Sequence, residues 1–321
     1  MTAQPYEALP APTVASSSPS TSSAFTVASS TPGIPSFSTS AAPAPSPCES
    51  TTMPSLPAVP FDHAWALLRD QTVIASSGNT RVMYPLASVT KLLATWASLI
   101  AVSRGFASLE DQAGPTGATL RHLLSHASGL PLDSSVPQLP PEQRRIYSNA
   151  GIEVACAHIE ACTRVDTSSW IDQTVLTPLG MSTSSVDASP AHSGRSSVDD
   201  LVRFVQELLS PRLVSPDVSD EAFRPQYPHL AGVVPGYGRH NPCPWGLGVE
   251  IRGTKAPHWT APSASASTFG HFGVSGSFLW VDPEAHLAAV FLGSEPFGPW
   301  HKEHWSQFNE ALRIFGINYS T

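Results

Sequence analysis

Ser88 and Lys91 are the residues whose types and spacing could do chemistry. The chain has three lysines, and only Lys91 stands three positions after a serine, in Tyr84-Pro85-Leu86-Ala87-Ser88-Val89-Thr90-Lys91. Lys255 and Lys302 are preceded at that offset by Arg252 and Pro299. Pro85 is a turn former and Leu92 to Val102 is an apolar stretch, so the pair falls in the first turns of a helix. Positions i and i+3 share a helix face, which brings the Lys91 amine to the Ser88 hydroxyl. A serine hydroxyl is a weak nucleophile until a neighbouring base takes its proton, and a lysine is one such base. The chemistry in view is nucleophilic acyl transfer. S-x-x-K also occurs on solvated helix faces, so the tetrapeptide needs company before it means catalysis.

Two further triplets supply it. Tyr147-Ser148-Asn149 is the only Y-x-N in the chain and follows Ser88 by 59 residues. His271-Phe272-Gly273 lies within Ser267 to Val281, which reads as one strand, a glycine-rich turn and a second strand ending at Asp282-Pro283. S-x-x-K, Y-x-N and H-x-G in this order resemble the serine β-lactamase-like hydrolases: class C β-lactamases, D,D-carboxypeptidases, D-aminopeptidases and related esterases. The resemblance extends to Leu123-Leu124-Ser125-His126-Ala127-Ser128-Gly129-Leu130-Pro131, to Val175-Leu176-Thr177-Pro178-Leu179-Gly180-Met181 and to Trp245-Gly246-Leu247-Gly248-Val249-Glu250, and it covers residues 62 to 314 in family order.

That resemblance implies a role for each residue. Ser88 attacks an acyl carbon and forms an acyl-enzyme that water hydrolyses. Lys91 and Tyr147 share the proton work, the phenolate being favoured by Lys91 and by His271. Asn149 orients Lys91 and meets a substrate oxygen. The backbone N–H groups of Ser88 and Val274 form the oxyanion hole, Gly273 allows a close approach of substrate, and Phe272 walls the pocket. Each also has an ordinary reading: Tyr147 as a helix-start aromatic, Asn149 as an N-cap, His271 as a core histidine. Many relatives carry Lys-Thr-Gly at the third motif, and histidine, with a reference pKa of about 6.5, is often neutral at pH 7. The H-x-G form is closer to esterase-like and aminopeptidase-like members. A second H-x-G, His192-Ser193-Gly194, precedes the capping-box pattern Ser197-Val198-Asp199-Asp200 rather than a strand pair and is set aside.

Composition narrows the field. A net charge of −8 with 13% charged residues leaves no basic stripe for nucleic acid. No apolar run reaches the roughly 18 residues of a membrane span. No Lys or Arg precedes Arg69 and no apolar leader core opens the chain, so the expectation is a cytoplasmic protein. Cys48, Cys156, Cys162 and Cys243 show no C-x-x-C spacing and are expected to be reduced core residues. His122 with His126, and His301 with His304, have ligand-like helix spacing. H-E-x-x-H is absent, and such histidines are commonly solvated or capping, so neither metal nor cofactor is expected. The α/β-hydrolase elbow G-x-S-x-G is absent too.

Residues 1 to 58, rich in Ser, Pro and Ala with only Glu7 and Glu49 charged, are expected to form a disordered tail. Met53 is a plausible alternative start. Residues 59 to 316 are expected to form one catalytic domain. His63–Leu68 and Thr72–Ser76 read as a hairpin, and helices are expected at 88–102, 119–124, 149–162 and 197–209. Strands follow at 246–252, 268–272, 277–281 and 286–292, with a closing helix at 300–315. The expectation is an α+β fold. Its antiparallel sheet is built from both termini and flanked by helices, with a mostly helical subdomain over about 104–195. The functional expectation is a serine hydrolase acting on a small ester or amide, without nucleic-acid or membrane-spanning partners. The alternatives are a β-lactamase or D,D-peptidase, and a catalytically idle binding module.

Overall fold

The computed structural model describes residues 55–319, so most of the expected tail lies outside the described residues. In chain order the elements are β1 (His63–Arg69), β2 (Thr72–Ser77), β3 (Tyr84–Pro85), α1 (Thr90–Ser103), α2 (Leu120–Leu124), α3 (Asn149–Thr163), α4 (Thr167–Ile171) and α5 (Thr177–Leu179). They continue with β4 (Arg195–Ser196), α6 (Val198–Leu209), α7 (Pro216–Ala222), β5 (Gly232–Val234), β6 (Gly238–His240), β7 (Glu250–Ile251), β8 (Phe269–Gly273), β9 (Ser277–Asp282), β10 (Leu287–Gly293) and α8 (Pro299–Asn318).

The main sheet runs β2-β1-β10-β9-β8-β7, every pairing antiparallel. Strands from the two ends of the chain thus meet at the β1–β10 pair, where Trp65 faces Phe291. Side chains alternate between the two faces of a strand. Ala64, Ala66 and Leu68 of β1, with Ala288, Val290 and Leu292 of β10, enter the core shared with α1, α3 and α6. Trp65, Leu67, Ala289 and Phe291 point the other way, into the core under α8. Both faces are covered, so β9 and β10 are buried along their whole length, with continuous apolar runs at Phe278–Val281 and Leu287–Leu292.

Helix α1 is the central pillar. Its residues from Thr90 to Ala101 are all buried, as expected of a helix apolar on every side. Fully burying one of its leucines contributes roughly 1.5–3 kcal/mol, so Lys91 is carried inward by neighbours that hold the helix in place. Polar groups at the helix starts are satisfied locally. The Ser148 hydroxyl, rather than Asn149, caps α3 by accepting from the Gly151 N–H, and Ser197 caps α6 through the Asp200 N–H.

Some expectations need correction. Residues 246–252 do not form one strand. Gly246 donates to the Val249 carbonyl in a tight turn, Gly248 takes φ 75°, and only Glu250–Ile251 remains as β7. Helix α7, the β5–β6 hairpin and a π-helical turn at Asp172–Leu176 carry no strong periodicity and were not foreseen. Cys162 is only partly buried, unlike Cys156 and Cys243, because it falls near the C-terminal end of α3. No helix among the described residues is long and apolar enough to cross a membrane.

Candidate active site

Ser88 sits in a single 3-10 turn, Ala87–Val89, that runs directly into α1. Ala87 before it has φ 44°, a left-handed conformation costly for a residue with a Cβ and frequent where a side chain must be aimed. The turn is held from the opposite side by β8. A Cβ on Gly273 would lie 2.3 Å from the Leu86 carbonyl oxygen, so the close approach that requires glycine here is that of the segment carrying Ser88. The Ser277 hydroxyl donates to the same carbonyl at 3.1 Å.

Lys91 is fully buried, and its Nζ lies within hydrogen-bond distance of three oxygens: Ser88 Oγ at 3.3 Å, Asn149 Oδ1 at 2.6 Å and the Ala191 carbonyl at 2.8 Å. Burial lowers its pKa to about 7, while Asp133 and Glu153 partly oppose the shift. A neutral amine has two protons and one lone pair. It satisfies this site by donating to Asn149 and Ala191 and accepting the Ser88 proton. The amide of Asn149 is itself oriented, since Nδ2 donates to Asp133 Oδ1 at 2.7 Å. Sequence reasoning did not foresee Asp133 or the Ala191 carbonyl. Ala191 adjoins the rejected triplet His192-Ser193-Gly194, whose histidine is exposed and whose glycine backbone packs on Thr90.

Tyr147 lies with its ring centroid 4.7 Å from the Lys91 amine. Burial pushes its phenol well above its ordinary pKa; the nearby Ser88 hydroxyl only partly offsets this, and Glu250 and Asp133 add to it. The phenol is therefore protonated at neutral pH. The phenolic oxygen is buried and makes no hydrogen bond of good geometry among the described residues. The ring packs on His126 and Trp245 at centroid distances of 4.8 and 5.8 Å, which gives the resemblance segments at 123–131 and 245–250 a physical purpose.

His271 corrects an expectation. Burial, reinforced by the positive charge of Lys91, lowers its pKa to about 4, so it supplies no cationic field at neutral pH. Its Nδ1 lies 2.6 Å from the Phe272 carbonyl, which assigns the proton to Nδ1. Nε2 is left as a buried acceptor without a partner among the described residues. Ser88, Tyr147, His271, Phe272 and Val274 line one cavity of about 40 Å³, together with Pro235, Trp245 and Glu250. A groove of about 350 Å³ shares Tyr147 and Pro235 with it and is walled by Pro131, Leu132, Leu139, Ile146 and Val233. Gly129, at φ 83°, lets the loop that carries Leu132 fold back on itself: a Cβ there would strike the Leu139 carbonyl at 1.9 Å.

The histidine pairs with ligand-like spacing are structural. His122 Nδ1 accepts from the Thr119 N–H at the start of α2, His301 Nδ1 accepts from the Gly298 N–H at the start of α8, and His126 Nδ1 accepts from the Ser148 N–H.

The candidate site is thus a buried lysine beside a partly exposed serine, with a phenol above them and a cleft against the edge of β8. Residues 63–309 match the family model described as Beta-lactamase, and the chain belongs to that family of serine hydrolases. A solved β-lactamase from Mycobacterium bovis is 41% identical, with a TM-score of 0.79 over 81% of this chain and 96% of that one. Simvastatin synthase from Aspergillus terreus shares the fold at 17% identity and TM-score 0.66, covering 79% of this chain and 94% of that one. A 66-residue stretch is 36% identical to a Salmonella enteritidis protein assigned as a D-alanyl-D-alanine carboxypeptidase, and it spans 20% of this chain but only 15% of that protein's length.

Proposed function

We propose that this protein hydrolyses small esters or amides bearing an apolar group, through an acyl-enzyme on Ser88. The Ser88 oxygen attacks the carbonyl carbon while its proton passes to Lys91 Nζ. The N–H groups of Ser88 and Val274 stabilise the oxyanion. Tyr147, held as a neutral phenol, donates to the leaving group and is reprotonated from Lys91 as the carbon–heteroatom bond breaks. Water, activated in the reverse sense, then releases the acid. The observation that carries this reading is the lysine amine held at 3.3 Å from the serine hydroxyl with its pKa lowered to about 7, the range in which a general base works best.

Substrate preference follows from two features. At the third motif a neutral imidazole replaces the lysine that would grip a substrate carboxylate, which disfavours β-lactams and peptide C-termini. The adjoining groove presents Leu132, Leu139 and Val233, all exposed, to an acyl or alkoxy chain. The second reading, a β-lactamase or D,D-peptidase, draws on the 41% identity to the M. bovis protein. Intact mass after treatment with a fluorophosphonate and, separately, with a penicillin distinguishes them. A fluorophosphonate adduct, together with faster turnover of butyrate and hexanoate esters than of acetate, is expected. A penicilloyl adduct that turns over faster than any ester overturns the preference.

The pH profile tests the base. kcat/KM for an ester should rise with pH along a limb of apparent pKa about 7, because the amine must lose its proton before it can accept one from Ser88. Lys91→Arg keeps a cation that does not deprotonate near neutrality, so that variant should be inactive across the range. A wild-type limb centred on the ordinary lysine value would contradict this assignment.

A further inference from the structure

We propose that Asp111, His158 and Cys162 form a binding site for a zinc-like divalent cation, remote from the catalytic cleft. His158 and Cys162 are one turn apart on α3 and so share a face. Asp111 comes from the segment that precedes α2. One donor atom from each lies within 4.8 Å of the others. His158 Nε2 is 3.1 Å from Asp111 Oδ2 and 3.6 Å from Cys162 Sγ. Tetrahedral zinc, with bonds of about 2.0–2.2 Å to nitrogen and oxygen and about 2.3 Å to sulfur, needs donor separations of about 3.4 Å for N–O and 3.6 Å for N–S. The two observed separations are close to these values.

Mixed imidazole, thiolate and carboxylate donors favour zinc, cobalt or copper over magnesium or calcium. The side chains of His158 and Asp111 remain 21% and 36% exposed, so the ion has a path from solvent and a fourth position for water. The carboxylate is pre-oriented, since Asp111 Oδ2 also accepts from the Ser108 N–H at 2.9 Å. Binding displaces the Cys162 thiol proton to solvent and ties the Asp111 segment to α3. Cys162 is suited to this because it is the half-buried cysteine among the described residues, whereas Cys156 and Cys243 are enclosed. The ligands lie in the last turns of α3 and Asn149 at its first. At 1.5 Å per residue His158 is about 14 Å along the helix axis from Asn149, so the ion's effect is on stability rather than on the chemistry at Ser88.

Cobalt(II) titration of the untagged, chelator-treated protein tests this by absorption spectroscopy. Saturation at one equivalent is expected, with tetrahedral visible bands and a thiolate-to-cobalt charge-transfer band. Zinc should displace the cobalt and raise Tm in a concentration-dependent manner. Cys162→Ser should lose the charge-transfer band, and His158→Gln should lose saturable binding, while both keep the wild-type Tm measured in chelator. Absence of saturable binding would overturn the proposal and leave the three residues as a hydrogen-bonded Asp–His pair beside a thiol. A charge-transfer band that persists in Cys162→Ser would overturn it equally, by placing the ion elsewhere.

Discussion

Replacing Ser88 with alanine should lower ester hydrolysis by at least about 10³-fold, the scale on which loss of a nucleophile leaves only binding and oxyanion stabilisation. It should also abolish the fluorophosphonate adduct. The side chain is partly exposed, and its hydroxyl lies 3.3 Å from Lys91 Nζ. Its removal leaves Lys91 Nζ with Asn149 and Ala191. The fold should therefore be untouched, with a stability change within about 1 kcal/mol. That separation makes the experiment decisive: a thermal melt matching wild type, alongside vanished turnover, assigns the chemistry to this hydroxyl. Activity of the variant within about tenfold of wild type would remove the acyl-enzyme mechanism at Ser88 and assign the hydrolysis to another group.

The second large effect concerns stability. Glu250→Gln should cost about 3–5 kcal/mol, as expected when one partner of a buried ion pair is removed. Glu250 and Lys255 are 2% and 0% exposed. Glu250 Oε1 accepts from Lys255 Nζ at 2.8 Å and from His258 Nε2 at 3.1 Å, and Oε2 accepts from Trp259 Nε1 at 2.8 Å. His258 Nδ1 accepts from the Thr260 N–H, which assigns the neutral tautomer with its proton on Nε2. Glutamine keeps the volume and can still accept from Trp259, but it strands the Lys255 ammonium, whose remaining acceptor is the Pro244 carbonyl at 3.2 Å.

Burial alone would raise the pKa of the Glu250 carboxyl, yet Lys255 and His258 outweigh it and hold the value well below the usual carboxylate range. A depressed folded-state pKa means that this contribution is present above the unfolded value of about 4.5 and is lost as pH falls toward the folded one. Denaturant unfolding at neutral pH should show the midpoint falling at unchanged m. Adding Lys255→Met should restore most of the loss, because the stranded charge is then gone. A single substitution costing under about 1 kcal/mol would mean that water reaches the pair and that its charges are screened.

Much of the architecture was legible because it is written in short-range patterns. The i, i+3 spacing of Ser88 and Lys91 needs only a helix start, and α1 supplies it. The apolar runs of β9 and β10, the hairpin of β1 and β2, and the Ser197 cap are properties of neighbouring residues, and the structure has them within a residue or two. The strand expected at 246–252 failed for the same reason that the others succeeded. Its apolar content fits a strand, but the turn at Gly246–Val249 is set by contacts with the Leu124 and Ala222 carbonyls, far away in the chain.

The candidate site divides along the same line. By itself the sequence determined which groups could react, Ser88, Lys91, Tyr147, Asn149 and His271, and in what order they are strung. Only the tertiary structure decided their protonation. A pKa depends on how much protein excludes water from a group and on which charges remain nearby, and both are sums over residues distant along the chain. Lys91 is brought to about 7 by the packing around α1, and His271 is neutralised by the same desolvation. The acceptors that complete the lysine's coordination, Asn149 and the Ala191 carbonyl, stand 58 and 100 residues away. No spacing rule reaches that far, because the distance is closed by the fold and not by the chain.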